Sequence, residues 1–417
     1  MPIRSSDLRG AARLATDATA GLTDLVEAMH ERIARLPGAP PPPVEGRTRG
    51  IAGLVYKTVR GATRVVGGSI EALLGLLAPA LDARVDPMPE REALRAALNG
   101  VLGDYLAATS NPLAVPMALR RDGRALTLNR EALATRLPDA TGRVLVLVHG
   151  LCMNDLQWSR DGHDHGAALA RDLGCTPVYL HYNSGHHVSI NGHALAQRLE
   201  QLVEQWPRPV EQLVLIGHSM GGLLARSALH QAIEAGQRWP ERVSDLVFLG
   251  TPHHGAPLER AGNWVDRLLG ATPYSAPFAR LGKLRSAGIT DLRFGNLLDE
   301  DWVGRDRFSR SDDRRRPVPL PHGVRCHAVA ASIGPQPGAL KGRLLGDGLV
   351  PLDSALGRHP DAARHLAFAK DRQWVGQGLN HLDLLQDRDV YAQLVRWLGP
   401  TAGRRNAARP VAASRPL

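Results

Sequence analysis

The chain has 417 residues, 43% of them hydrophobic, and a formal net charge of +10. That length allows one large domain with an accessory region, and three widely spaced cysteines, Cys152, Cys175 and Cys326, give neither a disulfide framework nor paired zinc-ligand spacing. The charge does not imply nucleic acid: four of the arginines lie in the last eighteen residues, PTAGRRNAARPVAASRPL, and no aromatic residues interleave with the basic ones. The N-terminus has no apolar run of signal-peptide length, and charges interrupt every long apolar segment before membrane-spanning length. A soluble protein of a reducing, cytoplasmic compartment is therefore expected.

Residues 1–115 read as a helical region. Leu8, Ala12, Ala15, Leu22, Leu25, Met29, Ile33 and Leu36 recur at three- and four-residue steps, which predicts one long amphipathic helix ending at Pro37. The linker GAPPPPVEG follows, too stiff and too poor in donors to continue it. Residues 50–81 form a second helical segment, apolar over most of its circumference, with Lys57, Arg60 and Arg64 on one polar stripe. Two readings are open for it: burial against the catalytic domain, or peripheral contact with an anionic membrane through the basic stripe. A third helix is expected from Glu90 to Tyr105, and Asp122-Gly123 between two strand-like runs marks a hairpin.

From residue 116 to 399 strands and helices alternate. RVLVLVHG at Arg143, PVYLHYNSG at Pro177, QLVLIGHS at Gln212, SDLVFLGTP at Ser244 and VRCHAVAAS at Val324 are short apolar runs separated by helical stretches such as NGHALAQRLEQLVEQW. The pattern predicts an α/β fold with a mostly parallel sheet covered on both faces, whose ligands bind beyond the C-terminal ends of the strands. LAFA, after His365, reads as a further strand, and residues 400–417 as a disordered basic tail.

Ser219 stands at the end of one such strand, in Gly217-His218-Ser219-Met220-Gly221, just before a helical pattern. A strand that reverses sharply into a helix forces the turn residue to positive φ, and side chains two positions either side would strike the neighbouring backbone. Glycines at both positions make this a nucleophile elbow with Ser219 as the nucleophile. A serine needs a histidine to take its proton and an acid to orient that histidine. Asp347, in a turn between two glycines after the Val324 strand, and His381, just before the final helix, are the candidates. Asp353 and His365 are the nearest rivals. For the oxyanion, the N–H of Met220 and that of Leu151, in the loop after the Arg143 strand, are the expected donors. His149 is expected to shape that loop, His218 to pack under the elbow, and Cys152 to be a buried thiol. His163 and His165, His186 and His187, and His253 and His254 are histidine pairs with no third ligand beside them in sequence, so no metal is expected.

VHGL, GHSMGGLLAR, LGTPHHGAP, GDGLVP and LNHLDLL, in this order and spacing, resemble the lipase and esterase branch of the α/β-hydrolase superfamily, nearest to bacterial triacylglycerol-lipase-like and GPI-inositol-deacylase-like members. The resemblance spans about Pro116 to Gly399. It implies an α/β-hydrolase fold and ester hydrolysis through an acyl-serine intermediate, without a cofactor. Met153 departs from the pattern, since many lipases of the branch have a further glycine there. An insertion at about 257–322, containing Trp264, Leu268, Leu269, Tyr274, Phe278, Trp302 and Phe308, lies where this fold carries its lid and suits a lipid-like ester. A thioesterase or acyltransferase would use the same triad. A silent scaffold acting through the N-terminal helices is the alternative of another class.

Overall fold

The computed structural model describes residues 5–34, 57, 61, 89–255, 285–306, 313–334 and 346–399. All five apolar runs become strands. In chain order the strands are β1 (Ala118–Arg121), β2 (Arg124–Ala125), β3 (Arg143–Val148), β4 (Thr176–His181), β5 (Gln212–His218), β6 (Val243–Leu249), β7 (Arg325–Ser332) and β8 (Gln373–Gln377). They form one sheet in the order β2-β1-β4-β3-β5-β6-β7-β8. Pairing is parallel from β4 to β8, whereas β1 runs antiparallel to both β2 and β4. Asp122 and Gly123 take φ of 52° and 71°, the two positive values that let a two-residue turn follow the twist of its strands.

The helices are α1 (Ser5–Ala34), α2 (Pro89–Ala108), α3 (Arg130–Arg136), α4 (His165–Leu173), α5 (Val188–Gln205), α6 (Met220–Glu234), α7 (Ala287–Asp291), α8 (Leu352–Ala355) and α9 (Arg388–Leu398). Alternate strand residues feed two cores. Val144, Val146 and Val148 of β3 pack with Leu195 and Leu199 of α5 and Leu223 and Leu224 of α6. Leu145 and Leu147 face the other way, with Leu169 of α4 and Val390 and Leu394 of α9. Covering on both faces is why these strands are apolar at every position.

One expected strand is absent. LAFA is a loop: the N–H of Leu366 donates to Gly357 O and that of Phe368 to Leu366 O, so no ladder forms, while both side chains are buried in the core. The edge of the sheet is instead β8, QWVGQ, which pairs with β7 alone. The tail and most of the 50–81 segment lie outside the described residues, with Arg60 and Arg64; Lys57 is exposed. Trp264, Leu268, Leu269, Tyr274, Phe278 and Phe308 of the expected lid also lie outside them. No helix among the described residues is long and apolar enough to cross a membrane.

A chain of charges fastens the N-terminal helices to the sheet. Arg91 of α2 binds Asp7 of α1 through two nitrogens, with Nη2 at 2.9 Å from Oδ1, and binds Glu92 at 2.9 Å. Glu92 in turn meets Arg120 of β1 at 3.3 Å, and Arg120 reaches Asp155 at 3.2 Å. Asn111 donates to Gly10 O at 3.1 Å, closing the other end of the contact. Arg91 is almost fully buried, so removing it strips charge-assisted bonds from groups with little water to replace them. Arg91→Ala is expected to lower the free energy of unfolding by about 2 kcal/mol in urea titrations, and a change within experimental error would show that α1 docks without this pair.

Candidate active site

Parallel register brings the strand ends to one edge. Val148 lies opposite Gly217, His218 opposite Leu249, Leu249 opposite Val329, and Ser332 opposite Gln377. Leu151 follows β3, Ser219 follows β5, Asp347 follows β7 and His381 follows β8, so four distant segments meet there.

Ser219 has φ 55° and ψ −125°, between the last residue of β5 and the first of α6. Its N–H donates to Leu249 O at 2.8 Å and its carbonyl accepts from Gly222 N–H at 3.1 Å, which hold the strained turn in place. A Cβ at Gly217 would stand 2.5 Å from Gly222 Cα, and one at Gly221 would overlap Val148 O. Both glycines are therefore required by close approach.

Asp347 and His381 are in contact. His381 Nδ1–H donates to Asp347 Oδ2 at 2.6 Å, and both side chains are nearly fully buried. The other carboxylate oxygen, Oδ1, accepts the N–H groups of Leu349 at 3.0 Å and Val350 at 2.8 Å. The His381 N–H returns to Asp347 O at 3.1 Å. With Nδ1 committed, His381 Nε2 is left buried and without a hydrogen-bond partner. The bond from Ser219 Oγ to Nε2 is thus not made in this structure, as is common before substrate binds.

His218 joins the two halves. Its Nε2–H donates to His381 O at 3.1 Å, tying the histidine loop to the elbow, and burial holds its pKa well below the usual histidine value. His149, also fully buried, is pushed down to about 3 by desolvation. Its Nδ1–H donates to Gly150 O at 2.8 Å, and its ring stacks on Tyr182, whose hydroxyl donates to His149 O at 2.9 Å. Both rings are buried and donate to backbone carbonyls. The N–H groups of Leu151 and Met220 appear in no hydrogen bond among the described residues. Gly150 packs against the elbow, where a Cβ would sit 3.0 Å from Ser219 Cβ.

A family model described as the PGAP1-like alpha/beta domain matches residues 139–303, which contain the elbow and the loop after β3. The mostly parallel, eight-stranded sheet flanked by helices is an α/β architecture. Among solved structures, the mature lipase BlEst2 of Bacillus licheniformis is 19% identical, covering 61% of this chain and 91% of its own, at a TM-score of 0.38. Lipase B of Aspergillus fumigatus is 10% identical over 94% of this chain and 84% of its own, at 0.39. The esterase Pf2001 of Pyrococcus furiosus is 11% identical over 62% and 81%, at 0.35. No curated protein matches the sequence. These likenesses are too distant to bear on substrate or mechanism.

The rivals to Asp347 and His381 have other partners or surroundings. Asp353, on α8, is half-exposed and pairs with Arg358 at 3.5 Å, and His365 is exposed in the LAFA loop. Cys152 is a buried thiol with its pKa pushed up to about 12 by desolvation. His163 Nε2–H donates to His165 Nδ1 at 2.7 Å, and His165 Nε2–H to Leu384 O at 3.0 Å. His187 pairs with Asp291 at 3.0 Å and stacks on Trp302. No group of metal ligands occurs among the described residues. A cavity of about 260 Å³ beside α7 is lined by charged and aromatic side chains, among them His187, Asp291, Phe294, Trp302, Arg305 and Arg315.

Sequence reasoning missed the loop at 183–187 and the part of α2 that touch the loop after β3. The available signal was Gly100 and Gly103 inside a helical pattern, where glycine needs a packing reason.

The buried neutral histidines set a pH dependence. His149 has a pKa of about 3 in the fold, against about 6.5 in an unfolded chain. Between those values the unfolded state binds the proton and the folded state does not, so stability is lost as pH falls below about 6.5. His165, lowered to about 4, acts in the same direction. Melting temperature is expected to fall steadily from pH 7 to 5, and the fall should be smaller in His149→Gln; an unchanged slope would mean that His149 does not titrate on unfolding.

Proposed function

We propose that the chain is a serine ester hydrolase that cleaves carboxylic esters of lipid-like substrates through an acyl-serine intermediate. The observation that carries this reading is the open, buried Nε2 of His381, on an imidazole fixed by Asp347 and tied by His218 to the Ser219 elbow. Unpartnered ring nitrogens occur on His149 and His218 as well, but of these three only His381 binds a carboxylate through its opposite nitrogen, which suits Nε2 to receive a proton.

In this reading Ser219 Oγ attacks the ester carbonyl carbon as its proton passes to His381 Nε2. Asp347 keeps the imidazole in the Nδ1–H tautomer and stabilises its cation. The N–H groups of Leu151 and Met220 receive the oxyanion. The tetrahedral intermediate collapses by breaking the bond to the alkoxy oxygen, which takes the proton from His381. Water then attacks the acyl-serine, its proton goes to His381, and the next collapse returns that proton to Ser219 Oγ and frees the acid. Every step uses groups of this chain alone.

The lipid-like substrate rests on the apolar composition of the insertion at 257–322, whose described part packs against the elbow. A Cβ on Gly288 of α7 would lie 3.0 Å from Met220 Cε. Ser227 Oγ of α6 donates to Leu297 O at 2.6 Å and Arg226 Nη2 to Val318 O at 2.5 Å, so this segment is anchored on the helix that follows the nucleophile.

The test is hydrolysis of p-nitrophenyl esters of two to sixteen carbons, with fluorophosphonate labelling. Ser219→Ala should lose activity by about 10⁴-fold or more and lose labelling. Asp347→Asn should lower kcat by about 10⁴-fold while leaving the fold intact. Wild type should prefer medium or long acyl chains. Inertness of wild type toward esters and probe, with detergent or lipid present, would overturn the reading, and a preference for acetyl and propionyl esters would overturn its substrate class.

A further inference from the structure

The loop that carries Leu151 is shaped by groups outside the sheet. Cys152, the next residue, has φ 59°, a left-handed conformation that a side chain resists, so something must hold it. Its N–H donates to Ser184 Oγ at 3.1 Å. Its thiol lies 3.8 Å from Ala97 O of α2. Gly100 of the same helix comes so close that a Cβ there would stand 2.9 Å from both Cys152 N and Cys152 Cα and would overlap the sulfur. Glycine inside a helix of 20 residues costs about 1 kcal/mol relative to alanine, and close backbone approach is the return for it here.

The backing of this contact is stiff. Asn183 Nδ2 donates to Gly103 O at 2.8 Å, and Gly185 N–H to Asn183 Oδ1 at 3.0 Å, which sets the loop bearing Ser184 against α2. A Cβ on Gly185 would stand 2.7 Å from Gly103 N. Asn99 fixes the helix from its other side, accepting from Val115 N–H at 2.9 Å and donating to Leu113 O at 2.8 Å. From α7, Ser286 Oγ donates to Gly100 O at 2.6 Å.

We infer that α2 is a positioning element of the active site: Gly100, with Ser184, sets the conformation of Leu151-Cys152 and so aims the Leu151 N–H at the oxyanion. This rests on the hydrolase reading above. It turns the N-terminal helical region from an attachment into part of the catalytic architecture. Gly100 and Ser184 act through the loop and touch no reacting atom.

The experiment compares wild type, Gly100→Ala, Ser184→Ala, Gly100→Ala/Cys152→Gly and the surface variant Leu94→Ala, with Ser219→Ala as the blank. Steady-state hydrolysis of the preferred p-nitrophenyl ester is expressed per site labelled to completion by fluorophosphonate, which removes any unfolded fraction. Misplacing an oxyanion donor costs about 10²-fold in rate. Gly100→Ala is therefore expected to lower kcat about 30- to 100-fold with KM within about threefold, and Ser184→Ala, which leaves the helix contact intact, to lower it about tenfold. Cys152→Gly removes the sulfur and suits the positive φ but leaves the 2.9 Å approach to the backbone at residue 152, so the double variant should recover part of the loss, about threefold over Gly100→Ala. Leu94→Ala, on the exposed side of α2, should match wild type. The inference is overturned if folded Gly100→Ala and Ser184→Ala keep kcat per labelled site within about twofold of wild type, or if they lose only labelled fraction. Should Gly100→Ala not fold, Ser184→Ala alone decides. If wild type itself neither turns over nor labels, the hydrolase reading falls and takes this inference with it, an outcome told apart by the wild-type control.

Discussion

The site depends on one constraint, a non-glycine residue held at positive φ between a strand and a helix. Ser219 bears a conformation that costs on the order of 1–3 kcal/mol, and it persists because its surroundings leave no alternative. Leu249 O takes its N–H, and Gly217 and Gly221 let the turn close against Gly222 and Val148. The same turn starts α6 at Met220. Parallel register does the rest, since it fixes where β3, β7 and β8 end relative to β5.

A second feature is that the histidines nearest the site are kept neutral by burial. His149 and His218 each spend one ring N–H on a backbone carbonyl, of Gly150 and of His381 respectively. A neutral imidazole in that position positions backbone without adding a positive charge beside His381, where a cation would oppose proton transfer to Nε2. The distinction between His381 and its neighbours is therefore one of partners: His381 alone of the three has a carboxylate on Nδ1.

Much of this was legible in the sequence, and the parts that were not share a cause. The elbow could be read because its requirement is local: two glycines at fixed distance from one serine. Asp347 and His381 could be read because a parallel α/β sheet places such residues after strands. β8 could not, since an edge strand pairs on one side only and QWVGQ lacks the apolar continuity of the inner strands. LAFA misled because Leu366 and Phe368 are buried without a ladder; burial alone does not make a strand. The role of Gly100 was hidden because its partner, Cys152, is far along the chain, and helical periodicity reports which face is buried, not what lies against it.

The closure of the sheet by the last helix has a consequence for biosynthesis. Arg143, at the start of β3, donates to Leu398 O at the end of α9, and His381 lies between β8 and α9. Leu151, Ser219, Asp347 and His381 come from segments that a ribosome releases one after another, and the Asp347–His381 pair cannot form until the segments after β7 and β8 are present. A nascent or truncated chain ending before β8 therefore carries an elbow with no base beside it. Under the proposed mechanism such a chain has a nucleophile but no histidine to take its proton.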